Sequence, residues 1–158
     1  MGRSPDHVPG FITGFAMRPD LFAQHGQRFA ENIVRYHGWL RDEDLYAAYV
    51  IIPPQIDRSR PAHQQEDPHL YAGVVEERGD GIVVSGAQML GTGGAIANEM
   101  FMSCIGPLVP GDENYAISIA VPVAAPGLRL IVRRPYAEGP PASSTTRSPR
   151  ASTRRMPW

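Results

Sequence analysis

Five histidines, a lone cysteine and one glycine-rich turn are where chemistry would first be sought in this chain of 158 residues. Gly91-Thr92-Gly93-Gly94 offers backbone N–H groups that could cradle a phosphate. It lacks the strand-to-helix glycine spacing and the lysine of a P-loop, and the chain contains no lysine at all, so nucleoside triphosphate chemistry is not expected. His7, His25, His37, His63 and His69 fall in no HxxxH or HxH pattern; no metal site is expected, and they read as surface residues. Cys104 alone rules out an internal disulfide and a cysteine-cluster metal site, which fits a reducing cytosol. No GxSxG string supports a serine hydrolase.

The elements that must position any site follow from periodicity. Phe11, Ile12 and Phe15 have the spacing of a short helix. Phe22, Phe29, Ile33, Tyr36 and Leu40 then recur on one helical face, with Asp20 as a cap. Arg41-Asp42-Glu43-Asp44 breaks the pattern, and an apolar stretch over residues 45–52 is closed by Pro53-Pro54. After a polar loop over 55–69 the period becomes that of strands. Residues 70–77 and 81–85 flank a turn-forming Arg78-Gly79-Asp80, and further strands are expected over 101–105, 115–123 and 128–132. The pattern predicts helices first and antiparallel strands after, an α+β class.

Composition limits the partners. At 42% hydrophobic and 20% charged, with no apolar run near the roughly eighteen residues of a membrane span and no visible signal peptide, a soluble cytoplasmic protein is expected. The net charge of −1 hides two unlike segments: residues 137–158 hold four arginines against Glu138 (+3), which leaves −4 for the rest. That tail has no Val, Ile, Leu, Phe or Tyr to add to a core, and Trp158 is its one aromatic, so a nucleic-acid arm is not expected.

Six blocks, in one order, carry more information than any motif above. They are Met1-Gly-Arg-Ser-Pro-Asp6, Asp44-Leu-Tyr46, Pro54-Gln-Ile-Asp-Arg-Ser59, Val74-Val-Glu-Glu77 with Asp80-Gly-Ile82, Gly86-Ala-Gln-Met-Leu-Gly-Thr92 and Pro126-Gly-Leu-Arg-Leu130. Over residues 1–136 the chain resembles the 4-hydroxyphenylacetate 3-hydroxylase family, the oxygenase components of two-component flavin-dependent aromatic monooxygenases. The resemblance implies ortho-hydroxylation of a phenol with oxygen and reduced flavin delivered by a separate reductase, FAD rather than FMN, in a homotetramer. It also implies a partial acyl-CoA dehydrogenase-like fold: an N-terminal helical segment over 1–52, a barrel-like antiparallel β domain over 53–136, and a C-terminal helical bundle that the chain lacks. Helix faces bearing Phe22, Phe29 and Ile33 would then be exposed.

The resemblance also assigns residues. Arg3 of the Arg-Ser-Pro-Asp block would favour the phenolate, the form in which the ring carbon is nucleophilic. Gln55, Ile56, Asp57 and Arg58 would contact the flavin, Arg58 adding charge for phosphate. Thr92 would reach the edge of the ring system, and Ser103 and Cys104 lie near the substrate contacts. At two substrate positions the chain departs from the phenylacetate hydroxylases: His7 replaces a tyrosine, and Tyr49 a histidine. His7 could supply the acid/base group in an altered arrangement, and the subgroup that oxidises chlorinated phenols is similar here. The other reading of the residues is a non-catalytic β-rich binding module or a decayed fragment that keeps Arg3 and the flavin loop for a ligand.

The tail has its own explanation. Family members continue after the Leu-Arg-Leu block with a segment like Phe-Asp-Tyr-Pro-Leu-Ser-Ser-Arg-Phe-Asp-Glu. Back-translating Ser144 to Trp158 into GC-rich codons and reading one base earlier yields FDYPLASRFDEADAV. The chain is therefore expected to leave its ancestral frame between Tyr136 and Ser144, which makes residues 137–158 a frame-shifted, disordered tail. Sequencing the coding DNA tests this: the shifted frame should encode that peptide, and codons that do not would refute it.

Overall fold

The computed structural model describes residues 6–54 and 56–132; Arg3, Gln55 and the tail beyond residue 132 lie outside the described residues. The chain opens with three helices, α1 (His7–Ala16), α2 (Pro19–Ala23) and α3 (Gln27–Asp42). Five strands follow: β1 (Ala47–Val50), β2 (Gly73–Arg78), β3 (Gly81–Ser85), β4 (Glu99–Ser103) and β5 (Ser118–Pro122).

The short first helix forms where the spacing of Phe11, Ile12 and Phe15 predicts it, but the residues it buries are Val8 and Ile12, one turn apart, while Phe15 stays exposed. The single face expected from Asp20 to Leu40 is two helices instead. Gly26 sits at φ 133°, a conformation that L side chains rarely adopt, and it separates α2 from α3. Asp20 does not cap: Arg18 holds the N-cap position, and its guanidinium binds the Asp20 carboxylate at 2.7 and 2.8 Å. Phe22 and Ile33 are half-buried rather than exposed, Phe22 because its ring meets Phe15 edge-on at 5.6 Å, whereas Phe29 stays 40% exposed under the Arg28 guanidinium.

Residues 45–52 contribute a strand, so the 1–52 segment ends in sheet. β1 pairs with β4 in parallel, Ala47 opposite Glu99 and Tyr49 opposite Phe101, and β4 pairs with β5 antiparallel. The expected all-antiparallel arrangement is thereby corrected. Parallel pairing requires a long return path, and residues 51–98 supply it. Asn98 fixes the junction: its side-chain oxygen accepts from the Tyr46 N–H at 2.9 Å, and its own N–H donates to the Tyr46 carbonyl at 2.8 Å. β2 and β3 form the expected hairpin around Gly79-Asp80, with a bulge between Val74 and Glu76. They make a separate sheet, so the described residues show one three-stranded and one two-stranded sheet rather than a barrel. Residues 128–132 are not a strand; Ile131 is 97% exposed and nothing pairs with it among the described residues.

The core sits between the helices and the three-stranded sheet: Val8, Ile12, Leu40, Ala47 and Phe101, with Phe11, Ile33, Tyr36 and Tyr49 packed against them. A second cluster of Ala48, Val50 and Met100 covers the opposite sheet face, as the two-residue alternation of strands requires. Among the described residues, no helix is long and apolar enough to cross a membrane. Ile12, fully buried, should cost about 2–5 kcal/mol when cut to alanine. Ile131→Ala should change stability by less than about 0.5 kcal/mol. Urea midpoints of the two variants check both.

Candidate functional site

β1 and α1 bring two of the expected site residues together. His7 opens α1 and Tyr49 lies on β1; their rings are 6.1 Å apart. Phe11, one turn beyond His7, touches His7 edge-on at 5.7 Å and sits 5.3 Å from Tyr49, while Phe101 meets Phe11 at 5.2 Å and Tyr49 at 5.9 Å. The result is a cluster of four rings with an exposed imidazole at its edge.

Polar groups border the same layer. Glu99 is buried on β4, two residues from Phe101, and burial holds its carboxyl above the usual range. The Tyr36 hydroxyl is buried with no hydrogen-bond partner; burial, and secondarily the Glu99 charge, push its pKa up.

On the other side of the sheet lies a cleft of about 430 Å³. Ile51, Ile52 and Met102 form apolar wall, and Ile56, Arg58 and Cys104 of the expected residues open onto it. Strand parity explains the division, since Met102 alternates with Phe101 and so faces away from the ring cluster. Tyr71 also lines the cleft; burial raises its hydroxyl pKa, the Cys104 and Asp112 charges add to this, and Arg58 opposes it. The Gln88 side-chain oxygen, in the same lining, is buried without a partner.

The loop bearing Arg58 is built from its own side chains. Asp57 accepts from the Ser59 N–H at 2.9 Å and the Ser59 hydroxyl at 2.6 Å, which holds its carboxyl below the usual range, and it pairs with Arg60 at 3.3 Å. Gln65 donates to the carbonyls of Asp57 and Arg60. Asp57 thus shapes the loop, and its carboxylate is engaged there. Thr92 is exposed on the glycine turn, outside the cleft lining. A Cβ at Gly91 would come within 2.9 Å of the Val50 and Met100 side chains, which would have to shift, and Gly93 adopts φ 80° against Tyr46, a conformation that favours glycine. Ser103 bonds the Ser118 hydroxyl at 2.9 Å across the β4–β5 pair, and the Cys104 thiol donates to the Gly106 carbonyl at 3.7 Å.

One pair went unread in the sequence. His63 sits beside Asp112, which is 1% exposed; the Asp112 carboxylate accepts from the His63 backbone N–H and from Nδ1, each at 2.8 Å, and from the Val109 N–H at 3.1 Å. Burial alone would raise that carboxyl's pKa, but the His63 donors and the Val109 N–H outweigh it and hold it low. Nothing local signals the pair, because 49 residues separate its members. Among the described residues no group of three or more His, Cys, Asp or Glu side chains could hold a metal ion.

A family model described as 4-hydroxyphenylacetate 3-hydroxylase N terminal matches residues 1–155. The chain belongs to this family. It is 36% identical over 141 residues to the 4-hydroxyphenylacetate 3-monooxygenase oxygenase component of Geobacillus sp. (strain PA-9), covering 88% of this chain and 28% of that protein. It is 32% identical to the FADH(2)-dependent monooxygenase TftD of Burkholderia cepacia, covering 89% and 28%. The crystal structure of a 4-hydroxyphenylacetate 3-monooxygenase oxygenase component with FAD and 4-hydroxyphenylacetate superposes with a TM-score of 0.69 at 38% identity, over 80% of this chain and 26% of that one. The chain therefore spans about a quarter of the length of these family members.

Asp112→Ala leaves three donors without their acceptor and should cost roughly 3 kcal/mol. Because the folded carboxyl is held low, its contribution is fully present above the ordinary carboxylate range and is lost as pH falls through the folded value. Urea midpoints measured from neutral to acid pH should converge for wild type and variant.

Proposed function

We propose that this chain carries the phenol-facing and flavin-facing part of an oxygenase component that hydroxylates a phenol ortho to its hydroxyl. The observation that supports this most is the meeting of His7 and Tyr49 across α1 and β1, beside Phe11 and Phe101, in a member of a family with FAD- and phenol-bound structures. Reduced FAD, delivered by a separate reductase, supplies the two electrons with which one oxygen atom enters the ring and the other leaves as water.

The residues of this chain divide the remaining work. Phe11 and Phe101 offer ring edges and faces to a planar phenol, and the apolar layer behind them keeps water from it. Arg3, by the family resemblance, would be the cation that favours the phenolate. His7 takes the phenolic proton, and the Tyr49 hydroxyl donates to the resulting oxygen. On the far side of the sheet, the cleft, with apolar walls and the Arg58 guanidinium, would hold the phosphate-bearing part of the cofactor. Ile56 lines the same cleft, and the family resemblance adds Gln55 and Thr92 as flavin contacts. With His7 in place of the tyrosine of the phenylacetate hydroxylases, the preferred substrate is a smaller or chlorinated phenol.

Anaerobic titration with reduced FAD, followed by oxygen and a panel of phenols, tests the reading. The chain should bind reduced FAD, Arg58→Ala should weaken binding about tenfold, and a chlorophenol should gain an ortho hydroxyl in preference to 4-hydroxyphenylacetate. No binding of reduced FAD by the wild-type chain would overturn it.

A further inference from the structure

The two walls of the 430 Å³ cleft come from distant parts of the chain. One wall is the loop over 53–62 with Arg58 and Arg60; the other is the segment over 104–117 with Cys104, Leu108 and Tyr115. The first wall is rigid within itself, since Asp57 and Gln65 tie residues 57–61 together. A rigid loop still needs a fixed place, and its internal bonds do not supply one.

We propose that His63 and Asp112 form a strap that sets the separation of the two walls and so positions Arg58 against whatever occupies the cleft. One carboxylate reaches both sides: Oδ1 takes the backbone N–H and Nδ1–H of His63, directly after the Arg58 loop, and Oδ2 takes the Val109 N–H of the opposite wall. A carboxylate accepts only, so Nδ1 carries the proton of this bond, while Gln64 Nε2 donates to Nε2 at 3.1 Å. The imidazole lies so close to Gly111, at φ 102°, that a Cβ there would meet the ring at 3.0 Å. The aspartate is nine-tenths and more buried while the imidazole keeps about a third of its side-chain surface, 31%, in solvent, as befits a joint at the cleft's margin.

Charged neighbours do not substitute for it. Glu113 is spent on the Gly111 N–H at 3.0 Å, and Arg60 on Asp57. Tyr115 makes a second tie, its hydroxyl donating to the Pro68 carbonyl at 3.2 Å, but it lands beyond the Arg58 loop and does not hold residues 57–61. His63 and Asp112 are thus positioning residues: they act on a ligand through Arg58 and do not touch the reacting atoms. That the ligand is FAD rests on the function proposed above; that the strap fixes the wall does not.

The test uses the full chain with His63→Leu, which removes the Nδ1 bond but keeps both backbone bonds to Asp112, and His63→Asn, whose amide N–H lies where Nδ1–H does. Hydrogen exchange of the amides over 57–60 should quicken about tenfold in His63→Leu and return toward wild type in His63→Asn, and reduced FAD, added anaerobically, should bind His63→Leu about tenfold more weakly. Exchange over 57–60 that is unchanged in His63→Leu overturns the strap, whether or not reduced FAD binds. A wild-type chain that binds no FAD, with exchange still faster in His63→Leu, upholds the strap and removes the flavin reading instead.

Discussion

The parallel pairing of β1 with β4 is the constraint on which the other features depend. It joins residues 47–50 to residues 99–103, so the whole intervening stretch must leave the sheet and come back. The Arg58 loop, the β2–β3 hairpin and the glycine turn all lie on that excursion. Asn98 closes it by satisfying both polar groups of Tyr46, and Gly93 lets the glycine turn lie against the Tyr46 ring. Without that closure, Tyr49 would have no Phe101 opposite it and α1 no surface on which to bury Val8 and Ile12.

Strand alternation then allots tasks to the two faces. The face toward α1 and α3 carries Ala47, Tyr49 and Phe101 and becomes an aromatic layer, while the reverse face carries Val50, Met100 and Met102 and gives onto the cleft. The energetics differ accordingly. The aromatic layer is stabilised by apolar burial, which has little directionality. The cleft walls are held by a few short, charge-assisted hydrogen bonds whose loss is local and directional. A chain can tolerate repacking on the first face more readily than a lost donor on the second.

Much of the local structure was legible because short-range rules decide it: Phe11, Ile12 and Phe15 at the spacing of a short helix, Gly79-Asp80 between alternating strands, Pro53-Pro54 ending an apolar run. What failed was non-local. A four-residue strand at 47–50 has no periodicity to mark it, and its parallel partner lies about fifty residues on. Gly26 broke a helix whose apolar spacing was sound on both sides, because φ 133° is a backbone demand that hydrophobic pattern does not report. Residues 128–132 have strand composition but no partner among the described residues. For the candidate site, the family resemblance pointed to His7, Tyr49 and Arg58, whereas His63 and Asp112 sit in stretches that look like ordinary polar loop and become a pair only through the fold.

We propose that β1, and α1 packed on it, place His7 and Tyr49 in one phenol site. It is tested most directly with 4-nitrophenol, whose phenolate absorbs visible light, bound to the wild-type chain, His7→Ala, Tyr49→Phe and the double variant. The account predicts a raised phenolate fraction on binding to wild type, a loss in each single variant, and a double variant no worse than the poorer single, the signature of two groups acting on one oxygen. Independent, additive losses, or the same phenolate fraction in all four proteins, would contradict it.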